Sequence, residues 1–126
     1  MRALCIPIAL LSTILISSIS AGYYTRQCTA EWIGMLEQCE DFLHEEQWER
    51  AHERLLATHS GWEQHAAALH MILEHQALDD VELLFSGAFA ACRDHNSSDL
   101  RILLHQLRKQ LTSLAETQET NLKNIL

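Results

Sequence analysis

From Trp32 to Leu114 the apolar residues of this chain return at steps of three and four, and no proline interrupts them after Pro7. A strand alternates its faces with every residue, so this longer step marks one face of a helix. Trp32, Leu36, Cys39 and Leu43 make the first stripe. Trp48, Leu55, Trp62 and Leu69 recur every seventh residue in the second, with Ala51, Thr58, His65 and Ile72 filling the alternate positions. Leu78, Val81, Phe85, Ala88 and Cys92 make the third, and Leu100, Leu104, Leu107, Leu111 and Leu114 the fourth. The pattern predicts helices over 25–45, 47–74, 77–94 and 98–117, each apolar on one face and polar on the other.

The expected breaks are short. They fall near Glu46-Gln47, near His75-Gln76, and at Asp94-His95-Asn96-Ser97-Ser98, where Ser97 or Ser98 is the expected N-cap of the last helix. Ser60-Gly61-Trp62-Glu63 has the form of a capping box. The heptad keeps its phase across it, which favours one continuous helix. Short connections make neighbouring helices antiparallel, so the expected fold is all-α, an up-down bundle of about four helices. Trp32, Trp48, Trp62, Phe85 and Phe89 would supply much of its core, with both Trp48 and Trp62 buried.

Residues Ala3 to Gly22 carry no charged side chain, and about twenty helical residues span the roughly 30 Å of a bilayer's hydrocarbon core. The division is therefore residues 1–22 as a transmembrane anchor or signal segment and 23–126 as an extracytoplasmic helical bundle. Arg2 supplies the charge that stays in the cytoplasm, and Tyr23 and Tyr24 suit the outer interface, which gives a single-pass protein of the cell membrane with its N-terminus inside. The competing reading is a cleaved secretory signal, since Ser18-Ile19-Ser20 and Ser20-Ala21-Gly22 offer small residues to a peptidase. The length of the apolar run favours a retained anchor; cleavage would make the protein secreted.

Nine Lys and Arg stand against seventeen Asp and Glu, a formal net charge of -8, which argues against nucleic acid as a partner, since binding it needs a basic face to displace counterions. There is no Gly-rich phosphate loop, no Gly-x-Ser-x-Gly and no Cys-x-x-Cys. The expectation is accordingly a protein that is not an enzyme and holds no cofactor.

Eight histidines are many for 126 residues. Di-iron bundles use two Glu-x-x-His pairs with two further glutamates. Here Glu49-Arg50-Ala51-His52 fits once, with Asp41-Phe42-Leu43-His44 as a weaker copy. Glu49 and His52 flank the apolar stripe, and the second pair a di-iron centre needs is missing, so they are weak metal candidates and no dedicated site is expected. A denser polar group lies at the second turn: His70, Glu74, His75 and Asp79, with His70–Glu74 and His75–Asp79 each four apart. As a site it would respond to protons or a ligand, histidine being the group that titrates near neutral pH; as plain structure it is a polar cap.

Cys28 and Cys39 lie eleven residues apart on one helix, roughly 16 Å along its axis, too far for a disulfide. Cys39 and Cys92 are the pair at matching height, but on diagonal helices, so buried thiols are expected.

Several segments form an ordered set: the apolar N-terminus, Gln47-Trp48-Glu49-Arg50-Ala51, Trp62, Glu74-His75-Gln76-Ala77-Leu78-Asp79 with Val81-Glu82, and Asn121-Leu122-Lys123-Asn124-Ile125-Leu126. Together they resemble a family of short bacterial membrane-anchored proteins catalogued as domain of unknown function 4363, over essentially the whole chain. Ala77 stands where that family often carries an acidic residue, which thins any polar site at that turn. The resemblance implies an anchor and a helical bundle and brings no activity with it. The functional expectation is a non-enzymatic interaction or scaffolding module whose partners are the membrane and another protein, or a second copy, met through helical faces. The alternatives are a proton or ligand sensor at His70–Asp79 and a metal-binding helical bundle.

Overall fold

The uncharged run and the first apolar stripe form a single helix, α1 (Arg2–His44). The computed structural model describes residues 2–69 and 75–125, and among these every long element is helical: α1, α2 (Trp48–Leu69), α3 (His75–Arg93) and α4 (Ser97–Ile125). Pro7 stands in the second turn of α1 without ending it, where the one backbone bond it removes lies close to the helix start. In the same segment the Thr13 hydroxyl donates to the Ala9 carbonyl at 2.8 Å.

The four stripes meet in one core. Leu36, Cys39, Leu55, Trp62, Val81, Phe85, Leu100, Leu104 and Leu107 are all buried there. α1 packs on α2 and α4, and α3 packs on α4; among the described residues the α2–α3 contact is the thinnest of the four, and the backbones of the diagonal pairs do not approach within 8 Å between Cα atoms. Two of the three buried threonine hydroxyls are paired inside their own helices: Thr29 donates to the Thr25 carbonyl and Thr58 to the Arg54 carbonyl, each at 2.7 Å. Arg108 ties α4 to α1, 2.9 Å from Glu40 and 3.9 Å from Glu37.

α1 and α3 end in the same way. Gln47 N–H donates to the Phe42 carbonyl and Glu46 N–H to that of Leu43, at 2.9 and 3.1 Å. Asn96 N–H and His95 N–H repeat the pair onto Ala91 and Cys92 at 2.9 and 3.2 Å. These are Schellman motifs, and the residue that closes each lies in the left-handed region: Glu46 at φ 59° and His95 at φ 52°.

Several expectations need correction. His75 and Gln76 are helical and open α3; the break expected near them falls on residues 70–74, outside the described residues. α4 runs to Ile125 instead of 117; residues 118–125 include no proline or glycine to stop the helix after the apolar stripe has ended. Asn96, not Ser97 or Ser98, caps α4: its Oδ1 accepts from the Asp99 N–H at 3.2 Å, and its amide donates back to the Asp99 carboxylate at 2.9 Å. Trp48 is half-buried. It is the first residue of α2, where no further turn covers it, and its ring lies flat on His95 with centroids 4.6 Å apart. Ser60-Gly61 does not split α2, as the heptad phase implies. Cys39 and Cys92 are both buried free thiols.

Candidate functional site

The thin α2–α3 contact carries the densest group of ligand-type side chains among the described residues. His59 and Glu63 stand four apart on α2, one turn from each other on the same face. Glu82 reaches across from α3. His59 Nε2 lies 3.2 Å from Glu82 Oε2 and 3.5 Å from Glu63 Oε1, and all three ligand atoms fall within 4.8 Å of one another.

The surroundings fix two of the three side chains. Trp62 is 1% exposed, and its indole N–H donates to Glu82 Oε1 at 2.8 Å, leaving Oε2 turned toward His59. The His59 ring sits edge-on between Phe85 and Phe89, with centroids 4.9 and 5.5 Å away. Glu63, with its side chain 62% exposed, is the most solvated member. One imidazole nitrogen facing two carboxylates can act as an ion-paired histidine, or as three donors for a cation.

A second polar group lies where α1 leaves the bundle. His65 Nδ1–H donates to the Gly61 carbonyl at 2.8 Å, which leaves Nε2 as an acceptor, and the Tyr24 hydroxyl donates to it. Cys28 Sγ stands 3.5 Å from the same nitrogen. Burial pushes the Cys28 thiol up from its ordinary value. The thiol is therefore kept protonated instead of being activated as a nucleophile. Cys39, donating to the Ala51 carbonyl at 3.3 Å, is pushed up to about 12, first by burial and then by the charges of Cys92 and Glu40.

The residues singled out by the sequence lie elsewhere. Glu49 and His52 are exposed and line a shallow groove with Trp48, Phe89, Arg93 and His95; the structure gathers no ligand set around them among the described residues. His75 and Asp79 are exposed in the first turns of α3, while His70 and Glu74 lie outside the described residues. The spacing that singles out His70–Glu74 also joins His59 to Glu63, so that half of the cluster was readable. Glu82 is twenty-three residues from His59 and enters only through the packing of α3 on α2.

No curated protein and no solved structure gave a significant match to the chain. One family model, Domain of unknown function (DUF4363), matches residues 20–125, and the chain belongs to that family.

Proposed function

We propose that this protein is a single-pass membrane protein, N-terminus inside, whose residues 23–126 form an extracytoplasmic up-down bundle acting as a non-enzymatic interaction or scaffolding module. The observation that carries the reading is the surface of α1. Leu4, Ile6, Ile8, Leu10, Leu11, Ile14 and Ile16 are all exposed, uncovered by any other helix, and the helix is long and apolar enough to cross a membrane. Water would penalise such a face at about 25 cal/mol per Å², and a bilayer removes that cost. The antiparallel order is supported by cross-helix pairs whose numbers run in opposite senses, Cys28–His65 and Cys39–Ala51 between α1 and α2, and His44–Arg101 and Glu40–Arg108 between α1 and α4.

The contact role is supported by large apolar side chains left on the bundle surface, Leu83 at 72% and Ile102 at 56% exposed. The test has two arms. Alkaline extraction of membranes carrying the full chain should leave it in the pellet, with Met1 as its N-terminus and the bundle digestible from outside the cell; release at high pH, or a chain starting at Ala21 or Tyr23, refutes the anchor. A photo-crosslinker at Leu83 or Ile102 should yield a defined protein adduct in those membranes. Adducts to lipid alone, or none, refute the contact role.

A further inference from the structure

We propose that His59, Glu63 and Glu82 bind a divalent transition-metal ion of the zinc class, a site independent of the anchoring and contact roles. The geometry fits such an ion. Metal–N and metal–O bonds of 2.0–2.1 Å in a tetrahedron set the ligand atoms about 3.3 Å apart. Two of the three edges already have this length: His59 Nε2 to Glu82 Oε2 at 3.2 Å and to Glu63 Oε1 at 3.5 Å. The third edge, within 4.8 Å, joins the two carboxylates. Glu63 is largely solvated and can close it by turning about its own side-chain bonds.

The donor set selects the ion. An imidazole nitrogen with two carboxylates suits zinc and its neighbours, whereas calcium and magnesium prefer oxygen alone. Three protein ligands leave the fourth position to water. The outer support is already in place: the Trp62 indole holds Glu82 by the oxygen that does not face His59, and Phe85 and Phe89 restrict the imidazole. Such partners orient ligands before the ion arrives. Binding requires neutral His59 with its lone pair at Nε2, and two carboxylates neutralise the dication.

The test is zinc titration of the purified full-length protein, free of any polyhistidine tag, in detergent micelles against a chromophoric chelator. One equivalent should bind saturably. Glu63→Gln and Glu82→Gln should each weaken binding by about tenfold or more, while His52→Gln leaves it unchanged. Glu82→Gln keeps an oxygen for the Trp62 indole, and tryptophan fluorescence of each variant checks that the fold is intact. Absence of saturable binding overturns the proposal and leaves the cluster an ion pair. So does binding that survives both glutamine variants, and so does binding lost in His52→Gln, which would move the site to the Glu49–His52 groove.

Discussion

Two glycines inside helices should respond to the same substitution with opposite signs. Alanine exceeds glycine in a helix interior by about 1 kcal/mol. A methyl group added at Gly34 on α1 would meet nothing within 4 Å, so Gly34→Ala should stabilise the bundle by nearly that whole amount. At Gly61 on α2 the added carbon would lie 2.9 Å from Trp32 Nε1 and 3.5 Å from its Cδ1. The Trp32 ring cannot swing aside. It is buried, with Trp62 edge-on at 5.6 Å and His65 edge-on at 5.5 Å. Overpacking of this kind costs about 1–3 kcal/mol, which cancels or exceeds the helical gain. Gly61→Ala should therefore be neutral to about 2 kcal/mol destabilising, and should fall about 1–3 kcal/mol below Gly34→Ala. Equilibrium urea unfolding in micelles, followed by tryptophan fluorescence, measures this directly. The chain's three tryptophans, Trp32, Trp48 and Trp62, all lie in the bundle, so the signal excludes the apolar part of α1. Equal stabilisation by both substitutions would refute the close approach of α1 and α2 at Gly61.

Glu46→Gly should raise stability by about 0.5–1 kcal/mol, because it relieves a left-handed residue that makes no other demand on its side chain; a loss in the same urea titration would contradict the Schellman closure. Trp62→Ala should cost about 3–5 kcal/mol and Trp48→Ala only about 1–2, the second losing mainly a ring stack at a helix end; equal losses would place Trp48 in the core. Above pH 9 the unfolded chain releases the Cys39 proton while the folded chain keeps it to about 12, so this thiol's contribution is intact below pH 9 and declines by up to about 1.4 kcal/mol per pH unit above it. Cys39→Ala should flatten that decline, and an unchanged alkaline slope in the variant would show that the thiol is not held neutral by burial.

The helices were legible because their signal is local. Each stripe repeats within a few turns, and burial follows it closely: Leu36, Cys39, Leu55, Leu78, Val81, Phe85, Leu100, Leu104, Leu107, Leu111 and Leu114 are buried where the spacing puts them. The ends were less legible. A stripe says where a helix packs, not where it stops, so α4 runs past Leu114 and α1 runs back through the apolar segment without a break. Trp48 kept the heptad phase yet lies at a terminus, and phase carries no information about what covers the last turn. The candidate site was half legible for a similar reason. His59–Glu63 is a local pair, but Glu82 joins it only when α3 is laid against α2, and the indole that orients Glu82 belongs to a tryptophan whose spacing marks it simply as core.

The placement of that cluster follows from how the bundle is assembled. α1 with α2, and α3 with α4, are each closed by a short Schellman turn, and Trp48 on His95 ties the two turns together. The two helix pairs then share a broad contact between α1 and α4 and a thin one between α2 and α3. On the thin side, aliphatic packing gives way to histidines against phenylalanines, His52 on Phe89 and His59 on Phe85 and Phe89, with the Trp62–Glu82 hydrogen bond beside them. A ligand held by two residues of α2 and one of α3 binds only when those helices are packed, so it shifts the bundle toward that state by its own binding free energy. At about a hundred times its Kd that amounts to roughly 2.7 kcal/mol, comparable to filling a core position with a large side chain. The thin α2–α3 contact is thus where the described residues gather their ligand-type side chains, and occupancy there would stabilise the packed pair.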